Sequence, residues 1–426
     1  MKLTLRFYFN DHEVECEHTW SNLNSNQVMF FGCNALNQDL DLFIKHDKES
    51  VKHDGSTYLS HSGSSFSYIL KPKFNQHIGS YQSLSLNMPF SNEKEFFMGD
   101  SCILRPFNKN FEEDFYGRVE IEILNETDLG LATSLDRESD KDQLLLFFCY
   151  LGEFKKNYYK NFSQDLEIEV VQTPRASRKI SARELFNDVD KYHQYYLNEL
   201  GKHKQKRLTI FQSMPDDNFQ KLGQGKTFAT GENVRNGILI YLPDDENYIE
   251  WLSGHKSYLR ELKYGLLHEL GHFYSSKGGD PEKTLITHSS SCPVRDFWII
   301  GENLNGYFTS IIAKELGLIE DDQGFSSLVK LHSNTYLKRK GYAGCLYFCY
   351  VDKILRDVGS SLWDVYKNMI DSQRENPSPY DNIEYFINFC NVECGEIISG
   401  RIRELFDLNP EDILFESEYF KGLICE

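Results

Sequence analysis

The 426-residue chain carries a formal net charge of −18, with 40% hydrophobic and 26% charged residues. That length admits two or three domains with substantial cores, and the composition is that of a folded protein. The acidic balance argues against nucleic acid as the main partner, because a polyanion needs a basic face.

The N-terminus, Met1 to Asn10, alternates as a strand does, and Arg6 and Asp11 break any apolar leader. With no run long enough to span a bilayer, no membrane association is expected and a cytoplasmic location is the default. Residues 1–175 read as a β-rich domain, an antiparallel sandwich or saddle. Short runs at 27–31, 119–123 and 166–171 are separated by Ser, Asn, Gly and Asp clusters.

From Ser181 the texture changes. Ala182 to Leu200 reads as a helix with Ser181 as its N-cap. A solvated basic turn, Lys202 to Arg207, leads into a strand at 207–211, a glycine-rich loop at 222–231 and a strand at 238–242. An edge strand here suits an extended peptide. A helix over 257–276 follows, with Leu259, Leu262, Leu266, Leu267, Leu270 and Phe273 on its apolar face, and Gly278-Gly279-Asp280-Pro281 stops it. Further helices are expected over 296–316 and 342–358, and the chain from Ser361 is mostly helical with a turn at 376–379. The expected organisation is an α+β chain: a β-rich domain over 1–175, a catalytic domain over 176–325 and a helical region over 326–426. The ten cysteines are scattered, and Cys345 with Cys349 and Cys390 with Cys394, each four apart on apolar helical patterns, read as buried free thiols.

The chemistry lies in His268-Glu269-Leu270-Gly271-His272. On a helix two histidines four apart point the same way, so both rings reach one metal ion while the glutamate between them holds a water. The competing reading is a pair of ordinary helix histidines with Glu269 on the solvated side. Catalytic zinc takes three protein ligands and leaves one position open, and two His with one carboxylate is a standard set. Glu302, on the next expected helix, is the candidate third ligand, with Glu315 and His288 as alternatives. Glu269 would be general base and then acid, with one Zn2+ per chain. Asn305 or Asn303 could orient a histidine, although a carboxylate is commoner in that role.

At these residues the chain resembles the glycyl aminopeptidase family of zinc peptidases, often PDZ-associated, within the thermolysin-like two-His-one-Glu (gluzincin) group. Phe273-Tyr274, Lys277, Pro281 and Trp298 stand in the family's order before Glu302. Tyr342, Asp352, Arg356 and Ser361-Leu362-Trp363-Asp364-Val365 continue the likeness, which covers roughly 185–370. Departures are Asn303-Leu304-Asn305 after Glu302, in place of Gly-Phe-Thr, and a tyrosine displaced by one residue. No C-terminal PDZ signature is visible.

The resemblance implies a thermolysin-like catalytic domain and a metalloprotease, an aminopeptidase acting on a peptide or protein substrate. It also implies Tyr342, or else Tyr336, at the oxyanion and Glu232 in Thr230-Gly231-Glu232-Asn233 at the substrate's free amine, the competing reading of Glu232 being a solvated loop acid. The alternatives are an endopeptidase with a specific protein substrate and a zinc-binding scaffold of the same fold that has lost turnover.

Overall fold

The computed structural model describes all residues except 11–12, 24–27, 32–49, 54–55, 61–62, 71–89, 92–94, 100–102, 108–109, 111–118, 136–138, 144–146, 161–165, 202–205, 214–226, 229, 235–236, 242–248, 251–256, 276–296, 320–344, 376–382 and 408–426. The chain divides into two compact units, one of residues 1–183 and 206–248, the other of 184–205 and 249–426.

In the first unit, alternation along Lys2–Asn10 and Glu13–Ser21 sends Leu3, Leu5, Phe7, Cys16 and Trp20 inward, each 0% exposed. These strands lie at the middle of a five-stranded sheet ordered Ser139–Gln143, Val119–Asn125, Lys2–Asn10, Glu13–Ser21, Ser65–Leu70. In this sheet the expectation of antiparallel pairing fails at one place: Lys2–Asn10 runs parallel to Val119–Asn125, with Leu3 opposite Ile121. A parallel neighbour must come from far along the chain, and no local turn announces it.

A second five-stranded sheet has the order Lys155–Lys160, Glu167–Gln172, Arg207–Ser213, Gly237–Tyr241, Thr230–Val234. Its three middle strands are parallel to one another. Parallel strands are covered on both faces and so read as continuous apolar runs rather than alternating ones; Val170, Val171, Ile210, Phe211, Ile238 and Leu239 are all 0% exposed. Thr230–Val234 returns antiparallel on Gly237–Tyr241 and places Glu232 opposite Leu239. The expected glycine-rich loop over 222–231 is therefore partly strand, and Glu232 stands on a sheet edge among the described residues rather than in a loop.

The second unit is helical. We number the helices α1 (Ala176–Lys179, still in the first unit), α2 (Ala182–Leu200), α3 (Tyr258–Ser275), α4 (Leu304–Glu315), α5 (Leu346–Arg356), α6 (Leu362–Glu375), α7 (Ile383–Cys394) and α8 (Glu396–Asp407). Helix α3 buries Leu262, Leu266, Leu267, Leu270, Phe273 and Tyr274 at 2% exposure or less, a stripe as wide as a core helix needs. Leu259, expected on that face, is instead 44% exposed in the first turn.

Immediately before α4 the residues Phe297–Asn303 form a π-helix rather than the α-helical start expected for 296–316. Cys345 and Cys349 are buried free thiols, Cys390 is buried and Cys394 half-buried, as the apolar spacing implied. Among the described residues no helix is long and apolar enough to cross a membrane.

Candidate metal centre

Helix α3 places His268 and His272 one turn apart on the same face, with ring centroids 4.6 Å apart and ring planes perpendicular. Their Nε2 atoms approach to 3.0 Å. The π-helix delivers Glu302 opposite them, its Oε2 lying 3.6 Å from His268 Nε2 and 3.4 Å from His272 Nε2. π-Helical turns recur at functional sites because one extra residue per turn re-aims a side chain. Here the re-aimed side chain is the carboxylate.

Bonds of about 2.0–2.1 Å to a tetrahedral zinc put neighbouring donor atoms about 3.3–3.4 Å apart. The three separations, 3.0, 3.4 and 3.6 Å, bracket that edge. His268, His272 and Glu302 keep 17%, 14% and 21% side-chain exposure, so the cluster is not sealed from solvent. The donor set therefore fits a catalytic zinc. Glu315, the alternative carboxylate, is turned away at the end of α4, where the Tyr195 hydroxyl donates to it. His288 lies outside the described residues.

Electrostatics reinforce the geometry. Burial lowers the His268 ring below the ordinary imidazole value, so the ring is neutral and offers a lone pair. Burial also disfavours charge on Glu302, yet the pull of His272 and the closeness of both rings outweigh it and hold the carboxyl well below the usual carboxylate range. Glu269, 5% exposed, shows the opposite balance: burial pushes its carboxyl up to about 8, with His272 only partly offsetting. A carboxylate oxygen of Glu269 and the two histidine donor atoms lie within 4.8 Å of one another. The surroundings therefore drive the two carboxyls in opposite directions.

The shell behind the donors includes residues that spacing alone does not single out. Asn305 Nδ2 donates to the main-chain oxygen of His268 at 2.9 Å, so of the two expected asparagines Asn305 is seen to reach a histidine. Gly271, the second free position of the motif, is a packing requirement: a Cβ there would stand 2.2 Å from Asn305 Oδ1 and 2.6 Å from the Tyr196 hydroxyl. Tyr196 stacks on Tyr274 at 4.9 Å, and the Tyr274 hydroxyl lies 2.8 Å from His193 Nδ1, so α2 buttresses α3 through polar aromatics. A glycine inside an amphipathic helix, about 1 kcal/mol worse than alanine, is the signal that could have flagged the contact.

Other residues of the sequence resemblance form a joint between helices. Asp352 on α5 accepts from the Tyr307 hydroxyl at 2.9 Å and from the Leu362 main-chain nitrogen at 3.0 Å, and pairs with Arg356 at 2.7 Å. It thereby caps the N-terminus of α6 from outside that helix. Ser361 and Asp364 close the same terminus with a reciprocal cap, and Trp363 packs on Phe308 at 4.1 Å. Trp298 stands in the π-helix. Tyr342, Tyr336, Lys277 and Pro281 lie outside the described residues. The side chain of Glu232 is not among those described.

No family model matches the sequence, and no curated protein matches it. Solved structures do. An aminopeptidase N family protein from Idiomarina loihiensis superposes with a TM-score of 0.63 at 12% identity, over 95% of this chain and 75% of that one. An M1 zinc metallopeptidase from Deinococcus radiodurans gives 0.54 at 9% identity, over 96% of this chain and 93% of that one. A variant of that enzyme, solved with a Tyr-Ser-Ala substrate, gives 0.52 at 8% identity, over 95% and 93%. The fold is that of the M1 zinc metallopeptidases, a mixed helix-and-sheet class. At these identities the likeness is one of fold, and the narrower glycyl aminopeptidase resemblance stays with the sequence motifs.

Proposed function

We propose that the chain is a zinc-dependent metallopeptidase, an aminopeptidase, with His268, His272 and Glu302 as ligands of one Zn2+ and Glu269 as general base and acid. The observation that carries this reading is the trio of donor separations, 3.0, 3.4 and 3.6 Å, which matches the edges of a tetrahedral zinc site. A zinc ion supplies Lewis acidity, drawing charge from a carbonyl oxygen and easing the loss of a proton from water.

The remaining steps belong to the chain. Glu269 takes the proton of the attacking water, holds it in a pocket whose burial favours the protonated carboxyl, and returns it to the leaving amine. Glu302 stays ionised throughout, and His268 and His272 keep their Nε2 atoms directed at one point. Asn305 fixes the His268 segment of α3 from behind.

The aminopeptidase reading draws on the fold of the aminopeptidase N family protein and on the sequence resemblance, which assigns Glu232 to the substrate's free amine and Tyr342 to the oxyanion. The test is a metal assay coupled to a library of free-amine and N-acetylated peptides. One zinc per chain with hydrolysis of free-amine peptides only supports the proposal. Equal hydrolysis of both sets makes the chain an endopeptidase, and zinc without hydrolysis of either makes it a binding scaffold.

A further inference from the structure

Helices α2 and α4 both reach the backbone of α3 at the level of Gly271. From α2 the Tyr196 hydroxyl donates to the Leu267 main-chain oxygen at 3.4 Å, and from α4 Asn305 Nδ2 donates to the His268 main-chain oxygen at 2.9 Å. The two carbonyls are consecutive, and both donors are buried, Tyr196 at 0% and Asn305 at 1% exposure. The Thr309 side chain of α4 also acts on the Tyr196 hydroxyl. Glycine is what lets them in: a Cβ at 271 would stand 2.6 Å from that hydroxyl and 2.2 Å from the Asn305 amide oxygen.

Within α3 the Leu267 carbonyl is the acceptor of the Gly271 amide, and the His268 carbonyl that of the His272 amide. A carbonyl oxygen has two lone pairs, so each takes a second donor without breaking the helix. Successive carbonyls stand about 100° apart around the axis, and tethers at two angles stop the helix turning. Apolar packing does this less well at a glycine, where the helix surface offers no ridge to interlock with its neighbours.

The metal centre is sensitive to that rotation. His268 and His272 ride on α3, whereas Glu302 comes from the π-helix. Turning α3 by about 10° carries an atom about 6 Å from its axis through about 1 Å. Metal–ligand distances tolerate about 0.2 Å.

We propose that Tyr196 is a positioning residue of the metal centre, its hydroxyl on the Leu267 carbonyl setting, together with Asn305, the rotation of α3 that aims both histidines at Glu302. This rests on the metal site proposed above. The same helix supplies a control: Tyr192, 1% exposed and one turn earlier, has a hydroxyl with no hydrogen-bond partner among the described residues.

Tyr196→Phe and Tyr192→Phe each remove one buried hydroxyl from α2 and keep the ring. The full chain is compared in three ways: zinc affinity by competition with a chelator of known constant, the visible bands of the cobalt-substituted protein, which report ligand geometry, and deuterium exchange of the metal-free segment 267–272. Tyr196→Phe is expected to bind zinc roughly 3–10-fold more weakly, with altered cobalt bands and faster exchange. Tyr192→Phe should match the unaltered protein in all three. If Tyr196→Phe keeps the affinity and the bands of the unaltered protein, the proposal is overturned whatever the melting temperature, because a merely structural hydroxyl lowers stability without moving the ligands. Equal changes in both variants overturn it too. If the unaltered protein takes up no zinc, the metal site fails and this role with it; zinc uptake without a contrast between the variants removes the role alone.

Discussion

The first sheet and the motif helix both bury histidine, and the two environments are closed to different degrees. His18, 0% exposed, has its Nδ1 2.6 Å from the Tyr68 hydroxyl, which accepts in turn from the Leu104 main-chain nitrogen at 2.8 Å. Trp20 donates to the Leu104 carbonyl at 2.8 Å beside them. This chain of bonds links neutral groups, and it ties strands together. His268 and His272 instead face each other and a carboxylate, and keep 17% and 14% side-chain exposure. Burial alone therefore does not separate the two settings; convergence of donor atoms on one point does, and the proposed metal site rests on it.

The largest effects should come from the open cluster. Glu269→Gln keeps the shape of the side chain and cannot carry a proton, so hydrolysis of free-amine peptides should fall about 10²–10⁴-fold while zinc content is unchanged. His268→Ala should lose both the metal and the activity. Metal analysis beside a hydrolysis assay separates the two variants. Normal turnover by Glu269→Gln would mean that the cluster is no more catalytic than the one around His18.

The closed cluster should announce itself through pH instead. Burial lowers His18 from 6.5 to about 3, so between those values the unfolded chain binds a proton that the folded one refuses. Stability is fully present above the unfolded value and is lost as pH falls from 6.5 towards 3, at about 1.4 kcal/mol per pH unit at most. Replacing His18 by Phe should flatten the dependence of melting temperature on pH over that window. A wild-type profile with the same slope as the variant would sink the assignment of His18 as a buried neutral group.

Gly271→Ala sharpens the comparison from the packing side. The added methyl meets an amide oxygen at 2.2 Å and a hydroxyl at 2.6 Å, so Asn305 or Tyr196 must move. Overpacking of this kind costs typically about 1–3 kcal/mol. Because Asn305 backs His268, zinc affinity should fall together with melting temperature. A variant that melts earlier but holds zinc unchanged would show that the shell supports the fold alone.

These contrasts explain what could be read from the chain directly. Ala182–Leu200 is helical over the expected residues, because periodicity and termini agree there. The strands near 207 and 238 were legible as continuous apolar runs. The pairing of Lys2–Asn10 with Val119–Asn125 was not, since register between segments more than a hundred residues apart leaves no local trace. Phe297–Asn303 reads as ordinary helix because a π-turn and an α-turn draw on the same apolar residues. At the site, the motif histidines and Glu302 could be picked out by their chemistry. The Gly271, Asn305 and Tyr196 contact could not, because it is a matter of shape between helices α2, α3 and α4.

The smallest effect lies at the joint that steadies α6. Ser361 accepts from the Asp364 main-chain nitrogen at 3.2 Å and donates to the Asp364 carboxylate at 2.6 Å, both near solvent. Its replacement by alanine should cost about 1 kcal/mol, as loss of a helix cap usually does. The same terminus is also held by Asp352, which accepts from the buried Leu362 nitrogen and the Tyr307 hydroxyl, so Asp352→Ala should cost more than Ser361→Ala. Chemical denaturation followed by far-ultraviolet circular dichroism would rank the two. A larger loss at Ser361 would mean that the exposed cap, and not the buried carboxylate, sets the stability of this helix.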